Sequence, residues 1–197
     1  STSNTGYQDF TLLTKNLYDK IGRVNGIEKK IGNNAFKKVS SYEFDDMGRL
    51  KTKRLDPGYT AGGNADLESL DYSYNLQNQI TGINKDFALK TSGNYNKWGH
   101  FFGLYLGFDN RDGVFTKAEL NGQVTGLLWN TQGDDAQRKY DYRYDRAKRL
   151  LNANFTEQQH IGDGWSSAKM DFSVSGVSGQ INYDLNGNLL TMLQKGV

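Results

Sequence analysis

Short runs in which aromatic and polar residues alternate recur along the chain and predict β-strands. The rings stand two positions apart in three pairs, Tyr42/Phe44, Tyr72/Tyr74 and Tyr142/Tyr144. This spacing places both rings of a pair on one face of a strand. An aliphatic residue opens the next run a few positions later, at Leu50, Ile80 and Leu150. The pattern predicts consecutive β-hairpins, each with an aromatic face that it cannot bury alone.

The segment that joins the two strands of each hairpin has a repeated form. An aromatic is followed by Asp or Asn, two free positions, usually Gly, a polar residue and an aliphatic residue. The key positions are Tyr18, Asp19, Gly22 and Arg23; Phe44, Asp45, Gly48 and Arg49; Tyr74 and Asn75; Tyr144, Asp145 and Arg149; and Tyr183, Asp184 and Gly187. Such internal repetition indicates a repeat architecture.

The residue types of this segment specify its turn. Asp at the first position of a type I turn can accept hydrogen bonds from the backbone just downstream, and Gly at the fourth tolerates a positive φ. The combination predicts a hairpin loop with a glycine bulge. Asn78 and Lys148 replace the glycine, and Gln79 and Asn188 replace the arginine, so we expect these turns to be built differently.

Two segments fit the repeat pattern less directly. Asn121-Gly122-Gln123-Val124, with Ala118 in the aromatic position, supplies a further unit in the long interval between Tyr74 and Tyr144, which gives about six units over one domain, 1–197. The segment 134–151 also has apolar residues at helical spacing. The period-two run of Tyr140, Tyr142 and Tyr144 and the alignment with the other units favour strand.

The motif resembles the YD repeat of RHS (rearrangement hot spot) and wall-associated proteins, most closely at 18–24 and 44–50. The stretches 72–84, 102–109 and 120–129 further resemble the version found in surface proteins of Bacteroidetes. The resemblance implies an all-β fold in which consecutive antiparallel hairpins form one long twisted sheet that curls into a partial barrel or spiral. It also implies a repeat fragment of a longer array, since RHS sheets spiral into a shell around a toxin or effector.

The same resemblance implies a function. We expect a non-enzymatic scaffold module, on the cell surface of a bacterium or secreted, that acts in cell contact or adhesion or in encapsulating a passenger. Its partner would be a glycan or a protein at the cell surface, and exposed edge strands would favour self-association. The family's self-cleaving D-P-x-G-x-x segment has no counterpart, because Asp56-Pro57-Gly58 lies early and lacks the flanking pattern, so we expect no proteolysis.

Composition narrows the classes of partner. The chain has 24 basic and 22 acidic residues, for a net charge of +2, and the two signs are interspersed. No basic run therefore indicates nucleic acid. Cysteine is absent, which excludes disulfides and thiolate metal sites. No apolar run approaches the ~20 residues of a membrane helix, and 1–6 do not resemble a signal peptide.

Candidate catalytic groups are few. His100 and His160 are the only histidines; we expect the first to pack at a strand end and the second to face solvent. The acidic pairs Asp45/Asp46 and Asp134/Asp135 suit turns better than glycoside hydrolysis, although a glycan-acting enzyme using Asp134/Asp135 remains an alternative. We expect no catalytic residue, metal or cofactor.

The tryptophans suggest a second alternative, a carbohydrate-binding module. Trp98, Trp129 and Trp165 could form an aromatic platform for sugars, although aromatics at alternating strand positions are more often core. Arg23, Arg49 and Arg149 follow the turns, where a guanidinium can pair with the turn carboxylate or lie over the preceding aromatic ring.

Overall fold

The computed structural model describes residues 11–60, 66–91, 95–109, 113–117 and 121–196. Within these ranges the chain forms fourteen strands and one short helix. They are β1 (Leu12–Tyr18), β2 (Val24–Ile31), β3 (Lys37–Phe44), β4 (Leu50–Leu55), β5 (Glu68–Tyr74), β6 (Ile80–Ile83), α1 (Lys85–Leu89), β7 (Phe102–Gly107), β8 (Gly126–Thr131), β9 (Gln137–Tyr144), β10 (Leu150–Gln158), β11 (Val174–Ser175), β12 (Asn182–Tyr183), β13 (Leu189–Thr191) and β14 (Leu193–Gln194).

Twelve of these strands form one antiparallel sheet. Strands β1 to β11 pair in chain order and β14 follows β11, while β12 and β13 form a separate hairpin. The prediction of an all-β fold made of consecutive antiparallel hairpins is confirmed. Strand rather than helix is also confirmed for 134–151, which holds β9, the turn that follows it and the first two residues of β10. Within the described residues the sheet does not close on itself, because β1 and β14 are not paired.

The chain divides into two compact units, Ser1–Asp71 and Tyr72–Val197. The first holds β1 to β4 and the beginning of β5, and the second holds the elements from the end of β5 onward. The repeats predict a single domain, and this stays a prediction.

Five hairpin turns have the predicted bulge. The strand register shifts next to the aromatic of the motif in four turns, at Leu17/Tyr18, Glu43/Phe44, Ser73/Tyr74 and Asn182/Tyr183. In the remaining turn it shifts at Leu150/Asn152, beside the residue that pairs with the aromatic Tyr144. The fourth turn position has a positive φ, 86° at Gly22, 81° at Gly48 and 87° at Gly187. Gly122 of the additional unit has a φ of 83°, whereas Ala118 lies outside the described residues.

The expectation that the departing turns are built differently is wrong. Asn78 and Lys148 have φ values of 62° and 65°, so non-glycine residues occupy the same left-handed region. The backbone bonds are also the same, because Asn78 N donates to Asn75 O at 3.1 Å and Lys148 N donates to Asp145 O at 3.0 Å. The first turn residue and the strand register impose this conformation whatever side chain stands at the fourth position.

Lys148 therefore offers a test of backbone strain. The left-handed conformation costs an L-residue roughly 1–2 kcal/mol. Glycine avoids this cost, but its greater conformational entropy in the unfolded state offsets part of the gain. We expect Lys148→Gly to raise the free energy of unfolding by about 0.5–1 kcal/mol in urea denaturation. Arg146→Gly, at an exposed turn position without a positive φ, should lower it, and equal effects of the two changes would contradict this account.

The second unit has a packed core on one face of β7 and β8. Tyr105, Leu128, Ala88 and Phe115 are buried together. Phe115 can approach the sheet because β7 and β8 lack side chains at that point. A Cβ at Gly126 would lie 2.1 Å from Cδ1 of Phe115, and one at Gly107 would lie 2.3 Å from its Cδ2.

Helix α1 was not predicted from the sequence. It spans Lys85–Leu89, follows β6 and buries Phe87 and Ala88. A Cβ at Gly103 of β7 would lie 2.7 Å from the backbone nitrogen of Ala88, so the helix rests directly on the strand. The single turn of helix is stabilised by this tertiary packing, which sequence periodicity does not reveal.

Candidate functional site

The first turn residue organises each hairpin loop. Oδ1 of Asp19 accepts hydrogen bonds from the backbone nitrogens of Ile21 at 3.0 Å and Arg23 at 2.9 Å. Its Oδ2 accepts from Arg23 Nε at 2.7 Å. The pairs Asp45/Arg49 and Asp145/Arg149 repeat the 2.7 Å contact. The arginines therefore pair with the turn carboxylate, as predicted.

The same bonds form where the residue types depart from the motif. Asn188 Nδ2 donates to Asp184 Oδ2 at 2.7 Å, in the position of the arginine. Asn75 Nδ2 donates to Gln79 Oε1 at 2.8 Å, which reverses the direction of the bond but keeps the contact. Amide side chains thus replace the ion pair without changing the turn.

The residue after the fourth turn position also reaches the next turn. Gln79 Nε2 donates to the carbonyl of Gly122 at 3.2 Å, and Gln123 Nε2 donates to that of Lys148 at 3.0 Å. Arg149 Nη1 donates to the carbonyl of Asp184 at 3.3 Å. Successive turns of the second unit are therefore joined by side-chain bonds, which we call the turn ladder.

In the first unit, a cation–π contact joins the first hairpin repeat to the second. The guanidinium carbon of Arg23 lies 4.2 Å from the centre of the Phe44 ring, and a Cβ at Gly48 would lie 3.5 Å from Arg23 Nη1. Arg149 similarly lies 4.8 Å from the Tyr183 ring. The sequence left two placements open for these arginines. The pair with the turn carboxylate forms, whereas the ring contact is made with the aromatic of the following hairpin repeat and not with the preceding one.

Arg149 tests the turn ladder. Arg149→Ala removes the bond to Asp145, the bond to the next turn and the contact with Tyr183, so we expect a loss of about 1–2 kcal/mol in the free energy of unfolding. The matched control is Arg146→Ala in the same turn, whose exposed side chain should contribute less than about 0.5 kcal/mol. Equal losses in urea denaturation would mean that the ladder does not stabilise the fold.

The three predicted platform residues lie in different places. Trp98 is exposed in the loop before β7, with Lys97 Nζ 5.4 Å from its ring. Trp129 lies on β8 and stacks on Tyr140 at 5.9 Å between ring centres. Trp165 packs against the core on the opposite side of the sheet, with Lys139 Nζ 4.6 Å from its ring. The structure does not bring the three together, and their predicted role in binding stays a prediction.

The aromatic row of β9 is largely covered. Tyr140 and Tyr142 stack at 6.1 Å, and Tyr140 meets Phe155 edge-on at 5.4 Å. Phe172 packs edge-on against Phe155, which is 1% exposed, and the Phe172 carbonyl accepts a bond from the Tyr140 hydroxyl at 3.2 Å. The segment after β10 therefore lies over this row.

The acidic pair Asp134/Asp135 lies in the turn between β8 and β9. Asp134 pairs with Arg138, and this hydrogen bond, with others, lowers the pKa of its carboxyl to about 2. Burial acts to raise the pKa of Asp135, but hydrogen bonds from Tyr95, Asn130 and Lys90 outweigh it and lower the pKa. Burial and the Asp135 contact in turn raise the pKa of Tyr95 to about 12. Both carboxylates are thus held ionised.

The two histidines lie where expected. His100 packs edge-on against Phe87, with ring centres 5.8 Å apart. His160 is exposed, and its backbone nitrogen donates to Asp163 at 2.9 Å.

Stability should depend on pH through the paired carboxylates. Hydrogen bonds from Lys195 and Ser173 lower the pKa of Asp171 from 3.8 to about 2. A folded-state pKa below the unfolded value gives stability that is present above the unfolded value and is lost as pH falls through the folded one. We expect the melting temperature to fall between about pH 4 and pH 2. Asp171→Asn should lower the melting temperature at neutral pH and make its fall at acidic pH smaller. An unchanged dependence of the melting temperature on pH would contradict the role of Asp171.

A cleft opens on the core side of the second unit. Its volume is about 520 Å³, and helix α1, β8, β9, β10 and two loops surround it. Its lining includes Lys90, Gln137, Lys139, Gln158, Ile161 and Trp165. A cleft of this size lies within the range of about 300–1,000 Å³ that is typical of small-molecule sites. Of the predicted tryptophans, Trp165 lines it.

Hydrogen bonds fix the polar residues of the cleft. Lys139 Nζ donates to the carbonyl of Val114 at 2.9 Å and lies 3.2 Å from Asp141 Oδ2. Lys90 Nζ donates to the carbonyl of Asp135 at 2.6 Å.

Gln158 Nε2 donates to Gln137 Oε1 at 2.7 Å, and Gln137 Nε2 donates to the carbonyl of Ala88 at 2.7 Å. This relay connects β10 to the end of α1 across β9. Sequence reasoning missed the cleft, because its residues come from segments that are far apart along the chain.

The fold and the turn ladder define an all-β protein built from consecutive antiparallel hairpins. No family model matches the sequence, and no curated protein matches it. The chain is similar to one in the crystal structure of TcdB2-TccC3-Cdc42, with 10% identity and a TM-score of 0.44. The match covers 94% of this chain and 11% of the other, so this chain spans a small part of that protein's length. Membership of the YD-repeat family stays a prediction.

Proposed function

We propose that the chain is a non-enzymatic repeat scaffold, located on a bacterial surface or secreted, that acts in cell contact or in enclosing a passenger. The turn ladder is the observation that carries the proposal. Each of its bonds uses a backbone carbonyl of the next turn. In the first unit, Arg23 makes the corresponding contact with the Phe44 ring of the next hairpin repeat. A motif of this kind can be repeated along a strip of any length, which suits a scaffold.

The state of the acidic residues supports a role without catalysis. A glycoside hydrolase needs a carboxylic acid that is protonated at working pH, which requires a raised pKa. The pKa values of Asp134 and Asp135 are lowered. The Asp134 carboxylate accepts from the backbone nitrogen of Ala136 in its own turn, and the Asp135 carboxylate accepts from Tyr95 and Asn130. In the described part of the chain, no helix is long and apolar enough to cross a membrane.

The first strand supports the predicted self-association. Within the described residues, β1 pairs with β2 and its other edge has no strand beside it. Unpaired backbone groups on such an edge can accept a further strand. A further unit of the same chain or a second copy would provide one.

Location is the most direct test. We expect an antibody raised against the purified chain to label intact cells of the producing bacterium, or to detect the protein in the culture medium. A cytoplasmic marker protein, probed in the same samples, controls for lysis. Labelling that appears only after the cells are permeabilised would contradict a surface or secreted scaffold.

The absence of catalysis has its own test. Incubation of the purified chain with a panel of polysaccharides should release no reducing ends. Turnover that disappears in Asp134→Asn would overturn the non-enzymatic part of the proposal and support a glycan-acting enzyme.

A further inference from the structure

We propose that the cleft of the second unit binds a sugar acid, a pyranose ring that carries a carboxylate. This proposal is independent of where the chain acts and adds a small-molecule site to the scaffold. It depends on the charge, the polar relay and the apolar walls of the cleft.

The charge of the lining favours an anion. Lys90 and Lys139 line the cleft, and among the described residues that line it none is acidic. Both lysine side chains are almost fully buried, at 4% and 8% exposed. An ammonium in such surroundings attracts a carboxylate more strongly than one in water, because the local dielectric constant is lower.

The aspartates that balance these lysines are held by other donors. Asp135 also accepts from the Tyr95 hydroxyl and from Asn130 Nδ2, and Asp141 Oδ1 accepts from the backbone nitrogen of Thr116 at 2.7 Å. Each lysine makes two of the three contacts that an ammonium can make, one with a carbonyl and one with a carboxylate. Each ammonium also lies near a ring, since Lys90 Nζ is 5.5 Å from the centre of the Tyr95 ring and Lys139 Nζ is 4.6 Å from that of Trp165. A ligand carboxylate would therefore share the third N–H of each lysine with that ring.

The remaining lining suits a sugar ring. Leu89, Val114, Leu128, Ile161 and Trp165 provide apolar walls for the C–H faces of a pyranose. The amides of Gln137 and Gln158, already oriented by their mutual bond, and the hydroxyl of Thr91 provide donors and acceptors for ring hydroxyls. An apolar lining with a few fixed polar groups is typical of sites that orient a small ligand.

The groups are also preorganised. Lys139 is fixed between Val114, Asp141 and the Trp165 ring, and Gln137 is fixed to the end of α1. A ligand would not need to order these side chains on binding, and the entropy that such ordering consumes would be saved. The carboxylate would lie toward the lysines and the ring between Trp165 and the amides.

The test is a titration of the full chain, labelled with nitrogen-15, followed by NMR. The indole N–H signal of Trp165 is assigned by comparison with Trp165→Phe. Sodium glucuronate should shift this signal saturably, while glucose and sodium acetate at equal ionic strength should bind at least about tenfold more weakly. No saturable shift with glucuronate would overturn the proposal. Equal binding of glucose would overturn the role of the lysines, and equal binding of acetate would overturn the role of the ring.

Ile161 provides a matched pair of variants that leaves the buried ion pairs intact. Its side chain lines the cleft and is 65% exposed, so a polar replacement should be tolerated by the fold. We expect Ile161→Asp to weaken glucuronate binding at least about tenfold relative to Ile161→Asn, because the added carboxylate repels the ligand at nearly constant shape. Equal affinities of the two variants would place the ligand elsewhere and overturn the assignment.

Discussion

The hydrogen bonds accepted by the first turn residue are the interaction on which the rest of the sheet depends. One carboxylate or amide oxygen accepts from two backbone nitrogens, as Asp45 and Asp184 do in their turns. This fixes the bulge and hence the register of the two strands that leave the turn. Because a slip of one residue would turn every side chain to the other face, the turn determines which rings face the core.

The same turns determine how neighbouring hairpins are joined. Once the bulge is set, the following polar residue points along the row of turns and reaches the next one, as Arg149 and Gln123 do. This matters most where apolar burial is small. All buried apolar side chains in the described part of the chain belong to the second unit: Phe87, Ala88, Tyr105, Phe115, Leu128, Ala136, Ala153, Phe155 and Ile181. The first unit therefore relies on strand pairing, turns and ion pairs such as that between Arg54 and Asp66.

The features that could be predicted from sequence are those set by local chemistry. The aromatic pairs and the Asp or Asn of each turn specified the hairpins, because alternation and turn preference act over a few residues. The left-handed conformation of Lys148 was missed, since its side chain gives no sign of a φ that its neighbours impose. Helix α1 was also missed, because its stability comes from contact with Gly103 of β7.

The cleft shows why the candidate site was the least predictable part. Its floor consists of Gln137 and Lys139 on β9, which alternate with Tyr140 and Tyr142 on the opposite face. The alternation that predicted the strand drew attention to the aromatic side, which the chain covers with its own later segment. The polar side became a cleft because α1 and the loop that carries Trp165 supply further lining residues. In the second unit the segment after β10 thus covers the aromatic face, and the cleft forms beside the core on the other face, where insertions between hairpins supply its walls.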